Sequence, residues 1–186
     1  ALQKNTEALD FARQLNHAYS VSYVLFYTVM LHCCRREQYA AQEQAEELIA
    51  FSQERQFKYR LTQGRLLEAW IPTQYRAGEA DMEHLQQYLA EIQASGTEVY
   101  RPYYLLLLAE GYRRLEQPGE GLAMVDEALA VIDKTEERFY EAELYRLKGE
   151  LLQQTEKNPH RIDKAAEQCF QQALAISRSQ QAKSLE

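Results

Sequence analysis

The sequence predicts an all-α fold: an α-α superhelix of about four helix-turn-helix repeats, each of about 40 residues, behind a leading half-repeat. The composition is the first reason, because the strong helix formers Ala, Leu, Glu, Gln and Arg dominate and only 7 Gly and 4 Pro occur in 186 residues. Apolar residues also recur at helical spacing along nearly the whole chain. A short apolar pattern that returns about every 40 residues is the third observation.

Five short segments mark this repeat, with spacings of 40, 40, 40 and 45 residues. They are Ala8-Leu9-Asp10, Leu48-Ile49-Ala50, Tyr88-Leu89-Ala90, Ala128-Leu129-Ala130 and Ala173-Leu174-Ala175. The residues three positions before the start of each of the last four segments are Ala45, Leu85, Val125 and Phe170. Four positions before those residues lie Ala41, Asp81, Gly121 and Ala166. Apolar or small residues at i, i+4 and i+7 form one helix face, which Asp81 fits poorly.

Nine helices follow from this periodicity and from the turn residues between them. The predicted ranges are 3–15, 18–35, 38–54, 57–74, 79–94, 99–116, 119–134, 138–156 and 162–179. Turns are predicted at 75–79, 116–120 and 155–160, where Pro and Gly cluster, and links between repeats at 94–97 and 134–137. Pro72 is expected to end or kink its helix after about Ile71 and to lengthen the following turn. Together, residues 1–186 are predicted to form one repeat domain.

The charge balance excludes several classes of partner. The formal net charge is −7 and the isoelectric point is about 5.3, whereas nucleic-acid and anionic-membrane binding need a basic face. The longest apolar run, 105–109, is far too short to span a bilayer, and no signal-peptide pattern occurs. Three cysteines, of which Cys33 and Cys34 are adjacent, favour a reducing environment. We therefore expect a cytoplasmic protein that binds neither nucleic acid nor membrane.

The third repeat resembles the tetratricopeptide pattern. The matching positions are Leu105, Leu108, Ala109, Tyr112, Gly121, Val125 and Ala128, and the fourth repeat follows through Tyr145, Gly149, Leu152, Ala166, Phe170 and Ala173. The resemblance implies that the small residues Ala109 and Gly121 let paired helices approach closely. Because the usual period is about 34 residues, a period of 40 implies longer helices.

Two stretches, 96–104 and 137–152, are similar to the C-terminal repeat arrays of large bacterial signalling proteins. Such proteins carry a class III adenylate or guanylate cyclase or a DNA-binding module of a transcriptional regulator, then a STAND-type ATPase, then the repeats. The resemblance implies that this chain is part of a larger multidomain protein. Any ATPase or cyclase activity would then lie outside it.

The sequence offers no set of residues for catalysis, for a cofactor or for a metal. It contains neither a phosphate-binding Gly-x-x-x-x-Gly-Lys loop nor a Gly-x-Gly-x-x-Gly motif. His32, Cys33 and Cys34 are consecutive on a predicted helix, so they cannot all face one ion, and the other histidines fall in different repeats. Cys169 has no histidine at helical spacing that could activate it. We expect a binding module rather than an enzyme.

The first helix of each repeat is expected to line a concave groove, and helical phase selects the residues that would face it. The candidates of the first two repeats, most of which are apolar or aromatic, are Tyr23, Phe26, Met30, Gln63, Leu66 and Trp70, with Cys33 and Thr73 beside them. The later candidates are Tyr103, Leu106, Glu110, Arg113, Arg114, Arg146 and Glu150, with Glu143. Tyr, Trp, Met and Arg are enriched at interface anchors. Phe26 and Met30 also have a second interpretation, as core residues.

Three binding roles remain open from the sequence. The groove could hold a protein partner, namely a peptide, a helix or the protein's own ATPase or cyclase domain. It could instead bind a small ligand and act as a sensor that controls a linked module. The exposed apolar residues expected on the first helix, Leu9, Phe11 and Leu15, could also form a homodimer.

Overall fold

The computed structural model describes residues 1–156 and 164–181. Within these residues the chain forms nine α-helices and one short 3₁₀ helix, and no strand is present. The helices are α1 (Leu2–Gln14), α2 (Ala18–Cys34), α3 (Gln38–Glu54), α4 (Lys58–Thr73), α5 (Glu79–Ala94), α6 (Arg101–Arg114), α7 (Pro118–Thr135), α8 (Glu141–Thr155) and α9 (Lys164–Ser179). The 3₁₀ helix, Arg138–Tyr140, directly precedes α8. The all-α prediction is confirmed.

The predicted helix ends agree with the structure to within three residues wherever both are described. The largest difference is at 138–140, where the predicted helix begins as a 3₁₀ turn. Most of the predicted turn at 155–160, and positions 162 and 163 of the last predicted helix, lie outside the described residues. Periodicity located these helices because most of them bury apolar residues at helical spacing, such as Ala41, Ala45 and Leu48 of α3.

Pro72 does not end its helix at Ile71, because α4 continues to Thr73. Proline in the last turn removes one backbone donor, but its carbonyl still accepts hydrogen bonds from the N–H groups of Tyr75 and Arg76, both at 3.0 Å. The longer turn predicted after it is present, since five residues, 74–78, separate α4 from α5. Asp81, which fits the apolar pattern poorly, accepts the Gly78 N–H at 3.1 Å and thereby caps α5.

Four links between helices have the same three-residue geometry, and their central residues are Asn16, Arg36, Gln56 and Glu116. Each central residue has a left-handed backbone, with φ of 48°, 57°, 58° and 57° in chain order. In each link two N–H groups return to carbonyls of the preceding helix, as in the first, where Asn16 bonds Arg13 and His17 bonds Ala12. These hydrogen bonds define the Schellman motif that closes a helix end.

Two further left-handed positions keep this register, whereas Tyr100 and Gln181, which also have positive φ, do not. Gly96 and Glu136 also have positive φ, so the positions 16, 36, 56, 96, 116 and 136 are all multiples of 20 residues apart. Position 76 falls in the altered turn that follows Pro72. The 40-residue repeat of the sequence therefore consists of two successive segments of about 20 residues, each formed by one helix and the turn that follows it.

The helices form two compact units, which divide the chain at Thr97 and Glu98. Unit 1 contains α1 to α5 and unit 2 contains α6 to α9. In both units each helix packs against the next one in sequence. In addition α2 packs against α4, and α6 against α8, whereas the alternate helices α3 and α5 make no comparable contact. Within each unit the first helices of successive repeats thus lie closer together, and their exposed side forms what we call the inner face of that unit.

Close packing inside unit 2 depends on two glycines. A Cβ atom on Gly121 would lie 2.7 Å from Leu151 Cδ2 and 3.3 Å from the carbonyl oxygen of Ala109. A Cβ atom on Gly149 would lie 2.5 Å from the Phe170 ring. The expected close approach at Ala109 and Gly121 is therefore present between α6 and α7.

Candidate partner-binding faces

The inner face of unit 1 carries a group of tyrosines on α2. Tyr19 is 50% exposed and Tyr23 is 40% exposed, and the two lie one helical turn apart in the first half of α2. Tyr23 and Tyr27 stack edge to face, and their hydroxyl oxygens are 3.2 Å apart. Phe57, at the start of α4, packs edge to face on Tyr19 with ring centroids 5.8 Å apart. The face is thus aromatic, with hydroxyl groups at its surface.

Arg60 of α4 lies beneath these rings and is only 2% exposed. Its guanidinium carbon is 4.6 Å from the Tyr23 ring centroid, 5.4 Å from Tyr19 and 5.3 Å from Phe26. A fourth ring, Tyr59, is 5.9 Å away. Such cation–π contacts attract the charge to the ring faces and partly replace the water it has lost.

Five of the six groove residues predicted for unit 1 do not form an exposed surface. Among them are Phe26 and Gln63, which have no exposed area, and Trp70, which is 4% exposed. Met30 and Leu66 are buried as well, as are the neighbouring Cys33 and Thr73. These residues are buried in the helix packing of unit 1, in which α2 and α4 contact each other and their sequence neighbours. Only Tyr23 keeps a large exposed area, so Phe26 and Met30 follow their second interpretation as core residues.

In unit 2, the two apolar candidates Tyr103 and Leu106 are likewise buried in the helix packing. The charged candidates are brought together at the surface of α6 and α8. This ion network consists of Glu110, Arg113, Arg114, Glu143, Arg146 and Glu150, whose side chains are between 17% and 36% exposed. It includes every charged residue that the sequence placed on this face.

The network connects the two helices through Arg113, whose Nε lies 3.3 Å from a carboxylate oxygen of Glu150. Within α6, Arg113 also donates two hydrogen bonds to Glu110, at 2.7 and 2.8 Å. Within α8, Arg146 donates two to Glu143, at 2.6 and 2.8 Å, and a third to Glu150. Three positive and three negative side chains balance, so the network presents alternating charges rather than one sign.

Glu110 is the central acid of this network. Burial alone would raise the pKa of Glu110, but the hydrogen bonds and charge of Arg113, together with the charges of Arg114 and Arg146, outweigh it and lower the pKa. The hydrogen bonds that Arg146 donates to Glu143 raise the pKa of Arg146 above its usual value. Both shifts favour the charged forms of Glu110 and Arg146.

A small apolar cavity of about 190 Å³ adjoins the network between α8 and α9. Glu143 and Arg146 form its charged edge, and Phe170, Ala173 and Leu174 are among its apolar lining. Unit 2 therefore offers an apolar depression next to fixed charges, a combination typical of a contact site for one side chain of a partner.

Sequence reasoning missed Arg60, Tyr19 and Tyr59. Because a charged residue in a helix usually points to solvent, helical spacing gives no reason to expect that Arg60 is buried. Aromatic residues at positions 19, 23, 26 and 59 surround Arg60. They could have predicted a buried cation only if the packing of α2 against α4 had been known as well. That pairing is a tertiary contact that composition and periodicity do not reveal.

Neither a metal site nor a membrane-spanning helix is present in the described part of the chain. Within residues 1–156 and 164–181, no cluster of three or more His, Cys, Asp or Glu side chains could hold a metal ion. Nor does this part of the chain contain a helix with the length and apolar character needed to cross a membrane. Comparison with protein-family models, with curated proteins and with solved structures found no match to the chain.

Proposed function

We propose that this chain is a tetratricopeptide-like repeat array that binds a protein partner, through a peptide or a helix, on the inner faces of its two units. In this proposal it acts as a regulatory scaffold of a bacterial signalling protein and has no catalytic role. The partner could equally be an ATPase or cyclase domain of the same protein. The chain would contribute contact surface and orientation to that complex.

The observation that carries the proposal is the chemistry of the two inner faces. Tyr19 and Tyr23 expose large aromatic area in unit 1, and tyrosine provides such area with little loss of conformational freedom on binding. In unit 2, Arg113 and Arg146 are already held in place by paired glutamates, so a partner would meet preorganised charges. The 20-residue recurrence of left-handed turns supports a repeat array as the scaffold.

The proposal can be tested with peptides selected for binding from a random displayed library. We expect Tyr23→Ala or Arg146→Ala to weaken the selected peptides at least about tenfold, since interface anchors typically contribute more than about 1.4 kcal/mol. Affinities would be measured by fluorescence anisotropy on each variant.

Two matched controls separate the inner faces from the rest of the surface. Tyr39→Ala removes a tyrosine that is 91% exposed at the start of α3. Lys148→Ala removes a charge from α8 that instead pairs with Asp126 of α7 at 2.6 Å. Both should bind like the original chain. Peptides that respond to Tyr39→Ala or Lys148→Ala but to neither inner-face variant would contradict the proposal.

A further inference from the structure

Arg60 is a buried cation without a counter-charge. It forms no ion pair with any described residue, and its Nε has no hydrogen-bond acceptor there. Its Nη1 donates to Gln63 Oε1 at 2.7 Å, but Gln63 is a neutral amide. A charge removed from water without a partner is strongly unfavourable, and cation–π contacts offset only part of that. The site is therefore electrostatically incomplete.

Two other arginines of the same chain show what completes such a site. Arg113 uses Nε and Nη2 together to bind both oxygens of Glu110, at 2.8 and 2.7 Å. Arg146 binds Glu143 through the same two nitrogens, at 2.8 and 2.6 Å. In Arg60 the bond to Gln63 occupies Nη1, so the edge formed by Nε and Nη2 is left over. That edge matches a carboxylate in spacing and in charge.

Two partly exposed tyrosines lie against the Arg60 guanidinium. The ring centroids of Tyr19 and Tyr23 are 5.4 and 4.6 Å from its central carbon, and these side chains are 50% and 40% exposed. Side-chain rotations of exposed residues occur within nanoseconds, so these rings can move aside without a change in the helices. A ligand that enters between them would have its carboxylate at Arg60 and its apolar part against the aromatic rings.

We propose that Arg60, Gln63, Tyr19 and Tyr23 form a receptor for one carboxylate group. The inference rests on the proposed function, because the natural source of that group is an acidic side chain of the partner bound on the inner face of unit 1. A free small carboxylate has the same chemistry, and the experiment distinguishes the two sources.

The first arm uses small probes and NMR. Titration with phenylacetate should shift the Arg60 Nε–H resonance in a saturable manner, whereas its neutral analogue phenylacetamide should leave that resonance in place. The resonance is assigned by its loss in Arg60→Lys. An Arg60 Nε–H signal that neither phenylacetate nor an acidic peptide moves would overturn the proposal.

The second arm uses the library-selected peptides described above. Those that bind unit 1 should share an acidic position, and replacing that Asp or Glu by its amide should weaken binding at least about tenfold. Arg60→Lys keeps the charge but loses the two-nitrogen edge, and should weaken binding to a similar extent. Arg65→Lys, on the exposed side of the same helix, is the matched control and should bind normally.

Gln63→Glu keeps the proposal testable if Arg60→Lys does not fold. It places a carboxylate within reach of Arg60 and supplies the missing charge from inside, so the chain should stay folded and external carboxylates should bind at least about tenfold more weakly. Undiminished binding to Gln63→Glu would count against the receptor.

The failures of the two proposals are distinguishable. If selected peptides bind but show no acidic preference and tolerate both Arg60→Lys and Gln63→Glu, the carboxylate receptor is wrong and the interaction module stands. If no peptide binds while phenylacetate shifts the Arg60 signal, the receptor stands with a small carboxylate as its ligand and the interaction module fails.

Discussion

Cys33 and Cys34 are neighbours in sequence but differ sharply in environment. Cys33 is buried in unit 1, and Cys34 is exposed. Burial, with a smaller contribution from the adjacent Cys34, raises the pKa of the Cys33 thiol to about 12. Because the thiolate is the reactive form, the two side chains should differ in reactivity by several orders of magnitude.

We therefore expect iodoacetamide at about pH 8 to alkylate Cys34 and to leave Cys33 unmodified in the folded chain. Peptide mass spectrometry after a time course would measure both sites. In concentrated urea both should react at similar rates, which is the control for intrinsic reactivity. Equal labelling in the absence of urea would show that the environment of Cys33 is open.

Glu110 links the ion network to stability. Its pKa is lowered in the folded chain, so its charged form contributes stability above the unfolded pKa of about 4.5. That contribution is lost as the pH falls through the lower folded value. Glu110→Gln should destabilise the chain by about 1–2 kcal/mol near pH 7, because it removes a charged partner of Arg113 and Arg114.

The pH dependence provides the check on this prediction. The free energies of urea unfolding of the original chain and of Glu110→Gln should begin to converge as the pH falls below about 4.5, and should meet once the pH is below the lowered folded pKa of Glu110, where both side chains are neutral. Glu91→Gln, which changes an exposed glutamate of α5, should have little effect at any pH. A difference that persists at low pH would mean that packing, not charge, explains the loss.

At the level of the helices, the recurring turns carry avoidable strain. Gln56 and Glu116 adopt left-handed backbone conformations that favour glycine, with φ of 58° and 57°. Both side chains are exposed, so replacing them removes no packing. Both residues adopt the left-handed backbone that the turn requires, although a side chain makes this conformation less favourable than it would be for glycine.

Gln56→Gly and Glu116→Gly should therefore each stabilise the chain by about 0.5–1 kcal/mol, measured as a shift in the midpoint of urea unfolding. Arg55→Gly is the matched control, because Arg55 precedes Gln56 in the same turn and has an ordinary helical backbone. There glycine adds freedom to the unfolded chain and removes the contacts of Arg55 with Phe51 and Glu54, so it should destabilise. Equal effects at positions 55 and 56 would refute the role assigned to backbone strain.

For the whole molecule, the exposed apolar residues of α1 bear on self-association. Phe11 is 62% exposed and Leu15 is 61% exposed, as the sequence led us to expect, while Leu9 is partly covered. Neighbouring apolar side chains of this size on a helix surface are typical of contacts with another protein. We propose that α1 mediates a homodimer.

Sedimentation velocity over a range of concentrations tests this proposal. The original chain should show an average mass that rises with concentration, whereas Phe11→Glu combined with Leu15→Glu should remain monomeric. Tyr39→Glu is the control, because it changes an isolated exposed aromatic residue of another helix. A mass independent of concentration for the original chain would exclude a dimer through α1.

For the whole molecule, the prediction that residues 1–186 form one repeat domain stays a prediction. In the structure the helices form two compact units. The altered turn after Pro72 lies within unit 1, so it is not the boundary between the units. The boundary instead follows the link at Gly96, which has a left-handed backbone like the other links. Local turn chemistry is therefore insufficient to identify the boundary between the compact units.

The sequence by itself determined the helices, their order and their 40-residue recurrence, because apolar spacing and turn residues act over a few neighbouring positions. It also identified the charged network on α6 and α8, since helical phase alone puts those residues on one side. Only the tertiary structure decided that Trp70 and Phe26 are buried and that Arg60 lies under Tyr23 without a carboxylate. Burial depends on which helix lies against which, and that information is distributed over residues far apart in the chain.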